Sequence, residues 1–126
     1  MTRLSPVVVG VHHVTLAVRD LEHSITFYAD LLGLVPLDRP PLRSTGAWLQ
    51  AGAVQVHLIE TAPQDFVSPP ASLNGRNHHL AFEIEDYDAA LTQLRAMGAE
   101  VVEGGSGITQ MFLRDPDGYI IELIRP

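Results

Sequence analysis

A chain that states one pattern twice has few shapes open to it, and this one repeats itself across 66 positions: His13 and His79 stand that far apart, and so do Asp20 and Asp86. An offset shared by several residue types is an internal repeat. Val11 to Val18 alternates and is rich in β-branched residues, which predicts a strand with Val14, Leu16 and Val18 on one face and His13, Thr15 and Ala17 on the other. Asp20 can cap a helix. Leu21, Ile25, Tyr28, Ala29 and Leu32 then recur at helical spacing, and Gly33 can end the helix at positive φ, so a helix is predicted over 21–32. The second statement runs His78 to Ile84, with Leu80, Phe82 and Ile84 on the apolar face. Asp86 follows, then the stripe Ala90, Leu91, Leu94 and Met97, and finally Gly98.

Three shorter strands are predicted after each helix, near 34–38, 46–51 and 54–60, and near 99–103, 108–114 and 119–124. Trp48-Leu49 matches Phe112-Leu113. Val56-His57-Leu58-Ile59 matches Ile121-Glu122-Leu123-Ile124, with the offset drifting by one residue in the hairpin turn, where Asp115-Pro116-Asp117-Gly118 faces the shorter Ala51-Gly52-Ala53. The expected fold is α+β: two β-α-β-β-β modules in a single domain, module one over about 7–60, a linker at 61–77 and module two over about 78–125. The six apolar strand residues 14, 16, 18, 80, 82 and 84 should pack under the helices. The linker is long for a structureless connection, so it is read as functional or as a spacer. Gly104-Gly105-Ser106-Gly107 is a candidate lid.

Absences narrow the chemistry. With no cysteine there is no disulfide, thiolate ligand or cysteine nucleophile. All eight basic residues are Arg, which removes a Schiff-base or P-loop lysine, and a net charge of −7 argues against nucleic acid as partner. At 46 % hydrophobic and 18 % charged residues the chain is not a disordered one. No run approaches 18 apolar residues, so no membrane span is expected. Met1 to Pro6 lacks the apolar stretch of a secretory signal, so a cytoplasmic location is expected.

Six histidines remain as a surplus. The repeat pairs His13 with His79, each opposite the apolar face of its strand, and His57 with Glu122, the first sharing a face with Gln55 and Ile59 and the second with Ile120 and Ile124. If the halves pack about a pseudo-two-fold axis, all four can meet at one divalent ion: Zn, Mn, Fe, Co or Ni. A lone strand histidine is usually a hydrogen-bonded rim residue, but core packing supplies no reason for polar residues at matched positions. Glu122 is the sharpest of the four, because a carboxylate inside Tyr119 to Ile124 is costly unless paired or metal-bound. His12 and His78 should turn toward the helix side as strand-start residues, His23 should be solvated, and Glu83 reads as a surface carboxylate. Trp48, Phe66 and Tyr119 are candidate cleft liners, although ordinary packing is the commoner role.

These motifs, His13 to Val18, His79 to Phe82 and Asp115 to Glu122, resemble the vicinal oxygen chelate superfamily over nearly the whole chain. That superfamily contains glyoxalase I, methylmalonyl-CoA epimerase, fosfomycin-modifying thiol transferases, extradiol dioxygenases and metal-free bleomycin-binding proteins. The resemblance implies a glyoxalase-like fold whose sheets curve around a metal cleft, with His13, His79 and Glu122 as recurring ligands. His57 stands where a fourth ligand, commonly Glu or Gln, is usual. It implies a small-molecule substrate that chelates the ion through two neighbouring oxygens, lyase or isomerase chemistry with Glu122 as base, and a homodimer whose modules pair within one chain or swap between two. The rival reading is a small-molecule or antibiotic binding and resistance protein, or another member of the superfamily such as an epimerase or dioxygenase.

Overall fold

The structure, a computed structural model, describes residues 1–105 and 107–126. Two four-stranded sheets carry the chain. The first is built from β1 (His13–Val18), β2 (Val35–Leu37), β3 (Gly46–Ala51) and β4 (Val54–Glu60), in the order β1-β4-β3-β2. The second repeats it with β5 (Leu80–Glu83), β6 (Val102–Glu103), β7 (Thr109–Arg114) and β8 (Ile120–Arg125), in the order β5-β8-β7-β6. In each, the first strand lies parallel to the last and the other pairs are antiparallel. The fold is α+β. Among the described residues no helix is long and apolar enough to cross a membrane.

Both helices start as their capping residues dictate. The Asp20 carboxylate accepts from the His23 N–H at 3.1 Å, and Asp86 accepts from the Ala89 N–H at 3.0 Å. Helix α2 (Tyr87–Ala96) is regular, and Gly98 follows it at φ 79°. Helix α1 differs from the prediction: it is α-helical only over Leu21–Ile25 and winds as a π-helix over Thr26–Leu31. The wider turn coincides with a wholly buried Tyr28 whose hydroxyl is held by Asp115, a contact 87 residues away that local periodicity cannot report.

One core cluster draws on both halves, including Val18, Leu49, Val56 and Leu58 from the first and Met111, Leu113, Ile121 and Leu123 from the second. Of the six strand residues expected beneath the helices, Val18 is fully buried, and Leu16, Leu80, Phe82 and Ile84 pack against the cluster half-buried. Val14 is only half-buried and stays outside it.

The halves are joined through the Asp115–Gly118 turn. Asp117 accepts from the backbone N–H and Nε of Arg19, each at 3.0 Å, and from the Ser24 hydroxyl at 3.3 Å. Tyr28 donates to Asp115 at 2.5 Å, and Tyr119 donates to the Ala17 carbonyl at 2.8 Å. The linker carries a short 3-10 turn, Pro63–Asp65, and Phe66 beyond it lies under the Arg19 guanidinium at 4.7 Å. Of the candidate lid at 104–107, residue 106 lies outside the described residues.

Candidate functional site

Strand register explains why the repeat matters. Thr15 is the partner of His57 across β1 and β4, and Ala81 is the partner of Glu122 across β5 and β8. His13 stands two residues before Thr15 on β1, hence on the same face as Thr15. His79 is the residue just before β5, and it is its contact with Glu122, not strand alternation, that places its ring there. The one-residue drift between His57 and Glu122 is absorbed before the last strand, so both occupy one position in their sheets. On the neighbouring strand Trp48 pairs with His57, and Phe112 pairs with Glu122.

The four predicted donors come together as two pairs. In the first sheet the His13 and His57 rings stack at 4.0 Å with 13° between their planes, and Trp48 stacks on the other face of His57 at 4.5 Å and 9°. His57 is buried, and its ring nitrogen Nε2 lies 2.8 Å from Gln55 Oε1. An amide oxygen only accepts, so Nε2 carries the proton. Burial, reinforced by the nearby His13, His12 and Arg39, pushes His57 below the usual imidazole range and keeps it neutral. In the second sheet His79 Nε2 lies 2.9 Å from Glu122 Oε1, with Glu122 only 8 % exposed at its side chain and His79 22 %. The Phe112 ring meets His79 edge-on at 5.5 Å. Among the described residues no three His, Asp or Glu side chains gather around one point. His13 and His57 therefore form one half-site and His79 and Glu122 the other.

The second pair has a feature that bears on a metal. His79 Nδ1 sits 2.7 Å from the Asn77 backbone carbonyl, which fixes the proton on Nδ1. A neutral ring then turns the bare lone pair of Nε2 toward a carboxylate oxygen. That arrangement is satisfied only by a positive occupant, either a proton or a metal ion. A backbone carbonyl on the far nitrogen is also how a ligating histidine is commonly oriented. The donor chemistry therefore fits a divalent transition ion at His79 and Glu122. His13 fits too, because its Nδ1 is engaged by His12 Nδ1 at 2.8 Å and its Nε2 is left over. His57 fits least well, with one nitrogen held by Gln55 and both ring faces covered.

Several supporting groups lay beyond the sequence reading. His12 is exposed as expected, yet its ring meets His13 at 5.0 Å instead of turning toward the helix, because β1 begins only at His13 and alternation does not bind the residue before it. Asn77 acts through its backbone, which leaves no signal in the side-chain pattern. Gln55 shared a face with His57 by alternation and could have been found that way. The linker serves this region: Gly75 passes so close to the Phe112 ring that a Cβ there would lie 2.8 Å from it, and the Asn77 amide is tied to the Ser72 carbonyl at 2.8 Å. Trp48 belongs to the donor face. Phe66 and Tyr119 meet each other at 6.2 Å at the seam between the halves. Glu83 is exposed.

Comparison with known proteins agrees with this architecture. The profile of the Glyoxalase/Bleomycin resistance protein/Dioxygenase superfamily matches residues 12–112. Among curated relatives, Glyoxylase I 4 of Arabidopsis thaliana is 31 % identical over 120 residues, covering 90 % of this chain and 69 % of its own length. Glutathione transferase FosA of Serratia marcescens is 34 % identical over 117 residues, covering 90 % and 79 %. Among solved structures, the antibiotic binding protein TnmS3 from a Streptomyces strain superposes with a TM-score of 0.69 at 27 % identity, covering 94 % of this chain and 97 % of that one. With the profile spanning most of the chain and both sheets repeating one topology, this protein belongs to the glyoxalase/bleomycin resistance/dioxygenase superfamily.

Proposed function

We propose that the chain is a metal-dependent, glyoxalase-like lyase or isomerase. Its substrate is a small molecule with two neighbouring oxygens. His13, His57, His79 and Glu122 are the residues that would hold the ion, His57 being the one whose ring is already engaged by Gln55, His13 and Trp48. The observation that carries the reading is the His79–Glu122 pair, whose ring nitrogen and carboxylate oxygen stand 2.9 Å apart with the other ring nitrogen committed to Asn77. The two half-sites lie on different sheets, so the reading includes a homodimer in which His13 and His57 of one copy face His79 and Glu122 of a second copy.

A bound divalent ion supplies Lewis-acid stabilisation of negative charge that develops on the substrate oxygens. The chain's own groups do the rest. Glu122 accepts a proton from one substrate carbon and returns it to the adjacent carbon, so the step is an internal hydrogen shift that needs no external oxidant or reductant. His79 orients the carboxylate through the 2.9 Å contact. Trp48 and Phe112 wall the donors and limit water around them.

The test is elemental analysis of protein purified without added metal, followed by a hemithioacetal isomerisation assay with Zn, Ni, Co, Mn and Fe. About one ion per pair of half-sites, with turnover that a chelator abolishes, is the expected result. Protein that takes up no ion from micromolar solutions at neutral pH sinks the reading. A second reading, a small-molecule binding protein, is favoured by the likeness to TnmS3. Its mark is ligand affinity that survives chelation, without turnover.

A further inference from the structure

Arg114 reaches away from its own strand. On β7 it stands two residues from Phe112, hence on the same face, and where Phe112 pairs with Glu122 across the ladder Arg114 pairs with Ile120. It is half-buried, and among the described residues no carboxylate lies within ion-pairing distance of it. Its guanidinium is directed at carbonyls instead: Nη1 donates to Pro70 at 3.0 Å and to Gly118 at 2.9 Å, and Nη2 donates to Ala71. A planar fork that never loses its charge makes stronger hydrogen bonds than neutral groups make with one another. Two of the three carbonyls belong to the linker, 44 and 43 residues earlier, and the third to the hairpin turn that follows β7.

That grip matters because of what lies beyond it. Residues 66–79 belong to no helix or strand, so ladder bonds do not set the path of the chain into β5. Apart from His79, Arg114 is the only described residue outside the linker whose side chain hydrogen-bonds to residues 66–77. Just past Ala71, the Ser72 carbonyl accepts from Asn77 Nδ2 at 2.8 Å, and Asn74 Oδ1 accepts from the Arg76 N–H at 2.9 Å, so 72–77 closes on itself as one loop. Gly75 in that loop lies against the Phe112 ring with no space for a side chain. The loop ends at the Asn77 carbonyl, 2.7 Å from His79 Nδ1, and His79 Nε2 stands 2.9 Å from Glu122 Oε1. The contacts form one unbroken series from the Arg114 guanidinium to the His79 ring.

We propose that Arg114 is a positioning residue for His79. By clamping the Pro70 and Ala71 carbonyls to the Asp115–Gly118 turn it fixes the Ser72–Asn77 loop, and through the Asn77 carbonyl it aims His79 Nε2 at Glu122. The linker and turn carbonyls are held at once, which calls for donors in two directions from one rigid plane. A lysine ammonium on a flexible stem is a poor substitute. The ion-binding arm of the test rests on the metal reading above; the orientation of the ring does not.

The experiment compares the parent with Arg114→Ala, Arg114→Lys and Gly33→Ala, the last a destabilising change at a positive-φ helix stop that touches neither the linker nor the turn. Two quantities are read at neutral pH. One is the His79 Nδ1–H proton in protein without added ion, observed by nitrogen-resolved imidazole NMR and assigned by its absence from His79→Gln. The other is cobalt(II) affinity by chelator competition. The parent and Gly33→Ala should show the carbonyl-bonded proton, Arg114→Ala should lose it to exchange with water, and Arg114→Lys should keep it weakened. Cobalt should bind at least tenfold more weakly to Arg114→Ala and within twofold of the parent to Gly33→Ala. A parent without that proton, or an Arg114→Ala variant that retains it in full, overturns the proposal. So does an equal loss in Gly33→Ala, since general loosening then explains both. If Arg114→Ala does not fold, Arg114→Lys decides: an unweakened signal there overturns the proposal and a weakened one upholds it. A parent that binds no cobalt sinks the metal reading, while the ring proton still decides the role of Arg114.

Discussion

Glu122 and His79 show how little a single residue type says before its neighbours are fixed. Neither group is unusual in or beside a strand; what distinguishes them is that the Asn77 carbonyl engages one nitrogen of His79 and Glu122 stands in front of the other. Replacing Glu122 with Gln removes the negative donor and should weaken ion binding at least a hundredfold in a chelator competition, whereas His57→Ala should cost far less because that ring is already committed to Gln55, Trp48 and His13. Equal losses from the two substitutions would place His57 among the ligands proper. Tyr28 makes the clearest stability case. Its side chain is fully buried, and desolvation with the adjacent Asp115 keeps the phenol firmly protonated, so it serves as a donor. Tyr28→Phe leaves a buried carboxylate oxygen without that donor and should lower unfolding free energy by about 1–3 kcal/mol in urea titrations.

At the scale of elements, the caps and stops behaved as their residues dictate. Gly33 and Gly98, one after each helix, sit at φ 81° and 79°, where a side chain is strained. Nothing crowds a Cβ at Gly33, so Gly33→Ala should cost only that backbone term, about 1–2 kcal/mol by thermal melting. The Asp115–Gly118 turn does more than reverse the chain. Burial raises the Asp115 carboxyl above its usual value, although Tyr28, Tyr119 and Asp117 all hydrogen-bond to it. A carboxyl raised in the folded state binds its proton more tightly there than in the unfolded chain. Its contribution is therefore complete below about pH 3.8 and is lost as pH climbs through the folded value. Asp115→Asn removes that titration, so its melting temperature should gain on the parent's as pH rises above 4, with the gap constant once the carboxyl is ionised. A variant whose melting temperature falls relative to the parent's over that range would contradict the burial argument.

Across the whole molecule, the two halves share one core cluster and are tied by polar contacts from Arg19, Ser24 and Tyr28 to the Asp115–Gly118 turn. Asp117→Ala strips partners from the Arg19 N–H and from the buried Ser24 hydroxyl. It should cost about 2–3 kcal/mol, and in combination with Tyr28→Phe it should split a single calorimetric transition into two. Ion removal acts on the molecule as a unit: at an ion concentration one hundred times its dissociation constant, chelation should take away about 2.7 kcal/mol of stability.

The sequence alone determined the repeat, the strand faces and the helix starts, because alternation, capping and glycine stops act over a few residues and leave a mark at each position. It also singled out His13, His57, His79 and Glu122, because duplicated polar residues on apolar strands have no packing origin. Tertiary structure decided the rest. The burial of Tyr28 against Asp115 and the separation of the donors into two pairs depend on groups 43 to 87 residues apart, while the carbonyl that orients His79, that of Asn77, is near in sequence but belongs to a backbone whose path the linker's packing sets. No local pattern encodes those separations; only the packing of one half against the other sets them.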